Sequence, residues 1–120
     1  MKILIMDDEP NILMSLDFSM RKAGHEVFIA RDLAEALEAL DHERPEIVIL
    51  DLTMQGIDGQ MICDHIQKST ALAETNVIFL SSNPNETDIQ KGLEMGAKAY
   101  ISKPFSTRFL IKEVERIYNG

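Results

Sequence analysis

Five short apolar runs, each followed by a stretch of helical periodicity, limit what this chain can fold into more than any other feature. The runs are KILIM (2–6), EVFIA (26–30), EIVIL (46–50), NVIFL (76–80) and KAYIS (98–102). The third and fourth are continuously apolar and rich in branched residues, as expected of strands buried on both faces of a parallel sheet. Pro10 suits the first position of a helix and Gly24 the residue just past its end, with Ile12, Leu13, Leu16 and Met20 on one face. Asp32 and Glu35 have capping-box spacing, and Leu33, Ala36, Leu37 and Leu40 follow at i, i+3, i+4 and i+7. A weaker helix is expected from about Gln60 to Ser69, and a fourth from about Glu86 to Met95, closed by Gly96. A last helix starts after Ser106, with Phe105 and Leu110 spaced as a hydrophobic staple and Leu110, Val114 and Ile117 facing inward. The order βαβαβαβαβα predicts an α/β fold, a doubly wound parallel sheet with helices on both faces joined by right-handed crossovers.

At 120 residues, with no repeat, low-complexity tract or linker-like stretch, the chain reads as one domain over 1–120. A chain of this length buries roughly two thirds of its unfolded surface and needs no disulfide staples. Twelve basic residues face twenty acidic ones, a net charge of −8. That balance argues against direct nucleic-acid binding and favours attraction of cations. Cys63 is the single cysteine and has no Cys or His neighbours of zinc-site spacing, so it reads as a small packed residue. His25, His42 and His65 share no ligand spacing and read as surface or packing residues. No run reaches the length of a membrane span, and MKILIM is too short for a signal-peptide core. The expected compartment is the cytoplasm, with no membrane partner.

Ligands of doubly wound sheets bind beyond the carboxyl ends of the strands. Asp7, Asp8 and Glu9 follow the first strand here, Asp51 the third, Ser81 and Ser82 the fourth, and Lys103 with Pro104 the fifth. Taken singly, each has an ordinary reading: acids before a helix, a capping serine, a solvated lysine. Asp51 is the hardest to read that way, because it directly follows a buried run where a charge needs a partner. Together they bring several carboxylates, a hydroxyl and an ammonium to one edge of the sheet. Clustered carboxylates repel one another unless neutralised, and a hard cation such as Mg²⁺ does this with oxygen ligands. Lys103 supplies a point charge suited to a phosphoryl oxygen, and Ser81 a hydrogen-bond donor. Asp51 is placed to act as a carboxylate nucleophile toward a phosphoryl donor.

These features resemble the receiver domain of two-component response regulators, over essentially the whole chain. MDDEP resembles the acidic motif after the first strand and ILDLTMQGIDG the phosphoacceptor motif. FLSS resembles the end of the fourth strand with its switch hydroxyl, and AYISKPF the Lys-Pro motif with its switch aromatic. The resemblance implies a flavodoxin-like fold of strand order 2-1-3-4-5. It implies that Asp51 is phosphorylated by a histidine kinase or histidine phosphotransfer protein, and that Asp8 binds Mg²⁺ directly and Asp7 mainly through water. The backbone carbonyl of Thr53 would add a ligand, alongside Asp51 itself. Lys103 would pair with the phosphoryl group, Ser81 would swing toward it, and Tyr100 would turn inward into the space vacated. The face of the last two helices and last strand would report the switch. Glu9 receives no direct role.

The sequence departs from the family pattern in places. Gln55 stands where Pro is usual, and Ser82 adds a second hydroxyl beside the site; Thr53 and Asn83 occupy positions that tune phosphoryl lifetime. Lys98 and Ala99 precede Tyr100 where one branch of the family carries two acids, so that branch's charge-paired dimer is not expected. Two other classes compete: a Mg²⁺-dependent phosphohydrolase with an aspartyl nucleophile, and a receiver-like interaction module that does not switch. The first usually places a D-x-D pair after the first strand, whereas Asp7 and Asp8 are adjacent here. The expectation is a phosphoacceptor regulatory domain whose only chemistry is its own phosphorylation and autodephosphorylation. The downstream effector, the cognate kinase and the oligomeric state are left open.

Overall fold

The computed structural model describes residues 1–54, 58–82 and 85–120. Its elements alternate as the apolar runs predict: β1 (Lys2–Met6), α1 (Pro10–Lys22), β2 (Glu26–Ile29), α2 (Leu33–Glu43), β3 (Ile47–Asp51), α3 (Gly59–Gln67), β4 (Asn76–Ser81), α4 (Glu86–Glu94), β5 (Ala99–Ser102) and α5 (Thr107–Asn119). The strands form one parallel sheet in the order β2-β1-β3-β4-β5. This is the doubly wound, flavodoxin-like arrangement, with a switch point between β1 and β3.

Strand alternation divides the core into two layers. Ile3, Ile5, Ile47, Ile49, Ile78 and Leu80 face α1 and α5, where Leu16, Met20, Leu110 and Val114 are buried against them. Leu4, Met6, Val48, Leu50 and Phe79 face the other side, against Ala36 and Leu40 of α2 and Ile62, Cys63 and Ile66 of α3. Every second residue therefore serves a different layer, which explains why the central strands read as unbroken apolar runs. Burial and the charge of Asp64 push the Cys63 thiol up to about 11, so it stays a neutral packing group at neutral pH.

The helix ends follow local chemistry. The side chains of Asp32, Asp58, Asn85 and Ser106 each accept backbone N–H bonds at the starts of α2, α3, α4 and α5. Gly24 and Gly96 follow α1 and α4 with φ of +95° and +109°, a region that favours glycine. Two details differ from expectation. The Glu35 carboxylate of the capping box bonds the N–H of Arg31, one residue before the cap. The third helix ends at Gln67 and is followed by a short 3-10 helix, Thr70–Leu72, rather than running on to Ser69.

Gly92 is the single buried residue of α4. A Cβ there would lie 2.8 Å from Cδ2 of Tyr100 and 3.0 Å from Cδ2 of Phe79. Glycine inside a helix ordinarily costs up to about 1 kcal/mol relative to alanine. Gly92→Ala is nevertheless expected to destabilise the domain by about 1–2 kcal/mol through overpacking against the two rings. Thermal unfolding followed by circular dichroism checks this, and an unchanged or raised Tm contradicts it.

Candidate functional site

The carboxyl ends of β1, β3, β4 and β5 meet at one edge, and their register decides which side chains converge. Met6 pairs with Leu50, Leu50 with Phe79, and Phe79 with Tyr100, so these four form one row across the sheet. Asp51 is one residue further along β3 and its side chain falls on the opposite side, toward α1 and α5. Asp7 stands one residue past β1. Lys103 follows β5, its backbone N–H bonded to the carbonyl of Ser81 at 2.8 Å. That bond continues the β4–β5 ladder and carries the lysine back over the end of β3.

Asp7 and Asp51 are both fully buried, and the Lys103 side chain is only 8% exposed. The Lys103 ammonium lies 2.9 Å from Oδ2 of Asp51, 2.9 Å from Oε1 of Glu9 and 3.3 Å from Oδ2 of Asp7. Asp51 Oδ1 accepts two bonds from Thr53, at 2.9 Å from the backbone N–H and 2.7 Å from the hydroxyl. Asp7 Oδ1 accepts the N–H of Glu9 at 2.9 Å, which orients the chain into α1. Asp7 Oδ2 is buried with no hydrogen-bond partner among the described residues. Ser81 is buried at the end of β4, whereas Asp8 and Ser82 are exposed.

These surroundings drive the two buried aspartates apart. Burial pushes the Asp51 carboxyl up, but the bonds from the Thr53 hydroxyl, Lys103 and the Thr53 amide, with the Lys103 charge, outweigh it and leave it below the usual carboxylate range. Burial pushes Asp7 up as well; the Glu9 amide and Lys103 oppose this, the Asp51 charge adds to it, and Asp7 ends above the usual range. For Lys103, burial favours the neutral amine, but its bonds to Glu9 and Asp51 and the charges of Asp7 and Asp51 prevail and raise it. Asp51 is therefore an ionised carboxylate held in place at neutral pH.

One oxygen from each of Asp7, Asp8 and Asp51 lies within 4.8 Å of the others. Together with the orphaned Asp7 oxygen, this all-oxygen set fits a hard divalent cation better than a soft or nitrogen-seeking metal. Among the described residues, the carboxylates of Asp7, Asp8, Glu9 and Asp51 gather around the one Lys103 ammonium, so the site has spare negative charge for such an ion.

The structure thus brings Asp7, Asp8, Asp51, Thr53, Ser81 and Lys103 to one strand-end cluster. Tyr100 lies apart from the carboxylates, on the other side of the sheet, its ring edge-on to Phe79 at 6.4 Å between centroids. Gln55 and Asn83 lie outside the described residues. Glu9, for which the sequence suggested no direct role, is a direct partner of Lys103. The usable signal was its place beside two strand-end acids, but nothing in the sequence separates a side chain turned toward Lys103 from one turned to solvent.

The family profile for the response regulator receiver domain matches residues 3–115. Among solved structures, the receiver domain of the Francisella response regulator 1452 is 28% identical, with 98% of this chain and 96% of that one covered and a TM-score of 0.86. The Vibrio cholerae chemotaxis response regulator CheY4 is 27% identical, with 97% of each chain covered and a TM-score of 0.87. NtrX from Brucella abortus is 30% identical at a TM-score of 0.83; 98% of this chain aligns with 26% of that longer one.

The raised carboxyl of Asp7 fixes the sign of a stability effect. A carboxyl whose folded pKa lies above its unfolded one destabilises the fold once pH rises through that folded pKa. Without added divalent metal, Asp7→Asn is expected to stabilise the domain at pH 7 by about 1 kcal/mol. The gain should shrink as pH falls below the folded pKa of Asp7. Denaturant melts at several pH values check this. Millimolar Mg²⁺ is expected to raise the stability of the parent chain, and to raise that of the same variant much less.

Proposed function

This chain belongs to the response regulator receiver domain family, and from that premise we propose that it is a phosphorylatable switch of two-component signalling whose acceptor is Asp51. The observation that carries this reading is the state of Asp51: a buried, ionised carboxylate with Oδ1 held by Thr53 and Oδ2 facing the Lys103 ammonium. A carboxylate held this way is a pre-positioned nucleophile beside a charge that can follow a phosphoryl oxygen.

The donor is a phosphohistidine on a histidine kinase or phosphotransfer protein. Asp51 Oδ2 attacks the phosphorus, the P–N bond breaks, and the imidazole leaves with the electron pair and takes up a proton from solvent. The product is an aspartyl phosphate, a mixed anhydride. Lys103 moves from the carboxylate to a phosphoryl oxygen as charge transfers there. Thr53 keeps Oδ1 turned away from the incoming phosphorus, and the Ser81 hydroxyl moves in to donate to the phosphoryl group. Asp7, Asp8, Asp51 and the backbone carbonyl of Thr53 would hold a Mg²⁺ ion, which when bound draws negative charge off the phosphoryl oxygens.

The output runs through Tyr100. It shares a sheet row with Leu50, the residue before Asp51, and its ring seats over Gly92 of α4. Displacement around Asp51 and Ser81 is passed along that row to the face made by α4, β5 and α5. The domain occupies 1–120 and acts in the cytoplasm, where its kinase partner presents the phosphohistidine.

Incubated with acetyl phosphate and Mg²⁺, the chain is expected to incorporate one phosphoryl group. Asp51→Asn should lower the initial rate at least about 100-fold, since its amide is no nucleophile at this step. Phosphate-affinity gels or intact mass read this directly, and full incorporation by the Asn variant would overturn the assignment. Sustained turnover of a phosphoester would instead favour a phosphohydrolase.

A further inference from the structure

Glu9 is the one member of the cluster that neither the metal set nor the phosphoryl chemistry uses. Its side chain is 53% exposed, yet Oε1 takes a 2.9 Å hydrogen bond from Lys103. The other partners of the ammonium, Asp7 and Asp51, are fully buried. The ammonium donates hydrogen bonds to Glu9 and Asp51, both at 2.9 Å, and stands at an ion-pair distance of 3.3 Å from Asp7, so it is surrounded by carboxylates. Asp51 has no exposed surface, and its Oδ2 is the oxygen that Lys103 covers. Glu9 and Lys103 together also line the wall of a solvent-facing cavity of about 410 Å³, shared with Asn11, Ser15, Ser82 and Phe105.

We propose that Glu9 is a positioning residue that latches Lys103 over Asp51 in the unphosphorylated state and slows phosphorylation. This rests on the reading of Asp51 as the phosphoacceptor. A phosphoryl group arriving at Oδ2 needs Lys103 to leave that oxygen and turn a donor toward the phosphoryl oxygens. Releasing Asp51 is offset by the new bond to the phosphoryl group. Releasing Glu9 has no such offset, because the Glu9 carboxylate would remain near the arriving anion as a like charge. Glu9 is also the most accessible of the three acids that face the lysine.

The test compares Glu9→Gln with Glu9→Asp. Gln removes the charge and weakens the bond. Asp keeps the charge but is one methylene too short to reach Lys103 from the same backbone position. At saturating Mg²⁺, both variants are expected to take phosphate from acetyl phosphate about three- to five-fold faster than the parent, the size expected for a half-exposed ion pair. A fast Gln variant beside an Asp variant at the parent rate would show that the field of Glu9 acts and the latch does not. No acceleration, or a slower reaction, in both would also overturn the proposal. A second measurement needs neither metal nor phosphate. In ¹⁵N-lysine NMR spectra of the metal-free chain, the Lys103 ammonium, assigned by its absence in Lys103→Arg, should be protected from solvent exchange. That protection should fall in both Glu9 variants, and equal protection in the Asp variant contradicts the latch. If the parent chain takes no phosphate, the Asp51 reading fails and the latch with it. If the parent reacts and only the variants behave otherwise, the latch alone fails.

Discussion

One ammonium makes the end of this sheet possible. Asp7 and Asp51 are both without exposed surface, at the carboxyl ends of adjacent parallel strands. Two such charges would not persist side by side without a counter-charge, because burial removes the water that would otherwise screen them. Lys103 reaches both from across the sheet, hydrogen-bonded to Asp51 at 2.9 Å and at an ion-pair distance of 3.3 Å from Asp7, and its own near-complete burial makes loss of the Asp51 bond costly. The remaining geometry serves this contact. The β4–β5 ladder continues one step past β5 to place the lysine, and Thr53 fixes the oxygen of Asp51 that the lysine does not touch.

The arrangement is left deliberately incomplete in charge. Thr53 and Lys103 satisfy Asp51, whereas one oxygen of Asp7 has no hydrogen bond among the described residues and its carboxyl is held above the ordinary range. The site is therefore strained toward anything that brings positive charge, and the all-oxygen donor set narrows that to a hard cation. A phosphoryl group alone would add to the repulsion. A phosphoryl group with a divalent ion relieves it. On the proposed reading, the imbalance that disfavours the resting fold would favour the phosphorylated, metal-bound one, so stability and function would oppose each other at Asp7.

Much of this was legible in the sequence, for identifiable reasons. Strand alternation on a sheet buried on both sides leaves an unbroken apolar run, so β3 and β4 were plain. Asp32, Ser106, Pro10 and the two closing glycines mark helix ends through local chemistry that needs no tertiary contact. Convergence of Asp51, Lys103, Ser81 and the Asp7–Asp8 pair followed from parallel topology, which puts every strand's carboxyl end on one edge. What was not legible depends on side-chain direction or on long-range packing. α2 is closed by Arg44 in a left-handed conformation, φ 49°, where no glycine signals it. The 3-10 helix after α3 carries no periodic pattern of its own. Gly92 looks like a helix weakness until Tyr100 and Phe79 are seen lying against it. Glu9 resembles any acid before a helix until Lys103, 94 residues away, is found on its carboxylate.

On the proposed reading Asp51, and no other residue, carries the phosphoryl group. The most direct measurement is to phosphorylate the chain with acetyl phosphate and Mg²⁺ and reduce it with borohydride, which converts an aspartyl phosphate to homoserine. The modified residue is then located by peptide mass spectrometry. Homoserine is expected at position 51 alone. Reduction at Asp7 or Asp8, or phosphate retained on a histidine or serine with position 51 intact, would contradict it.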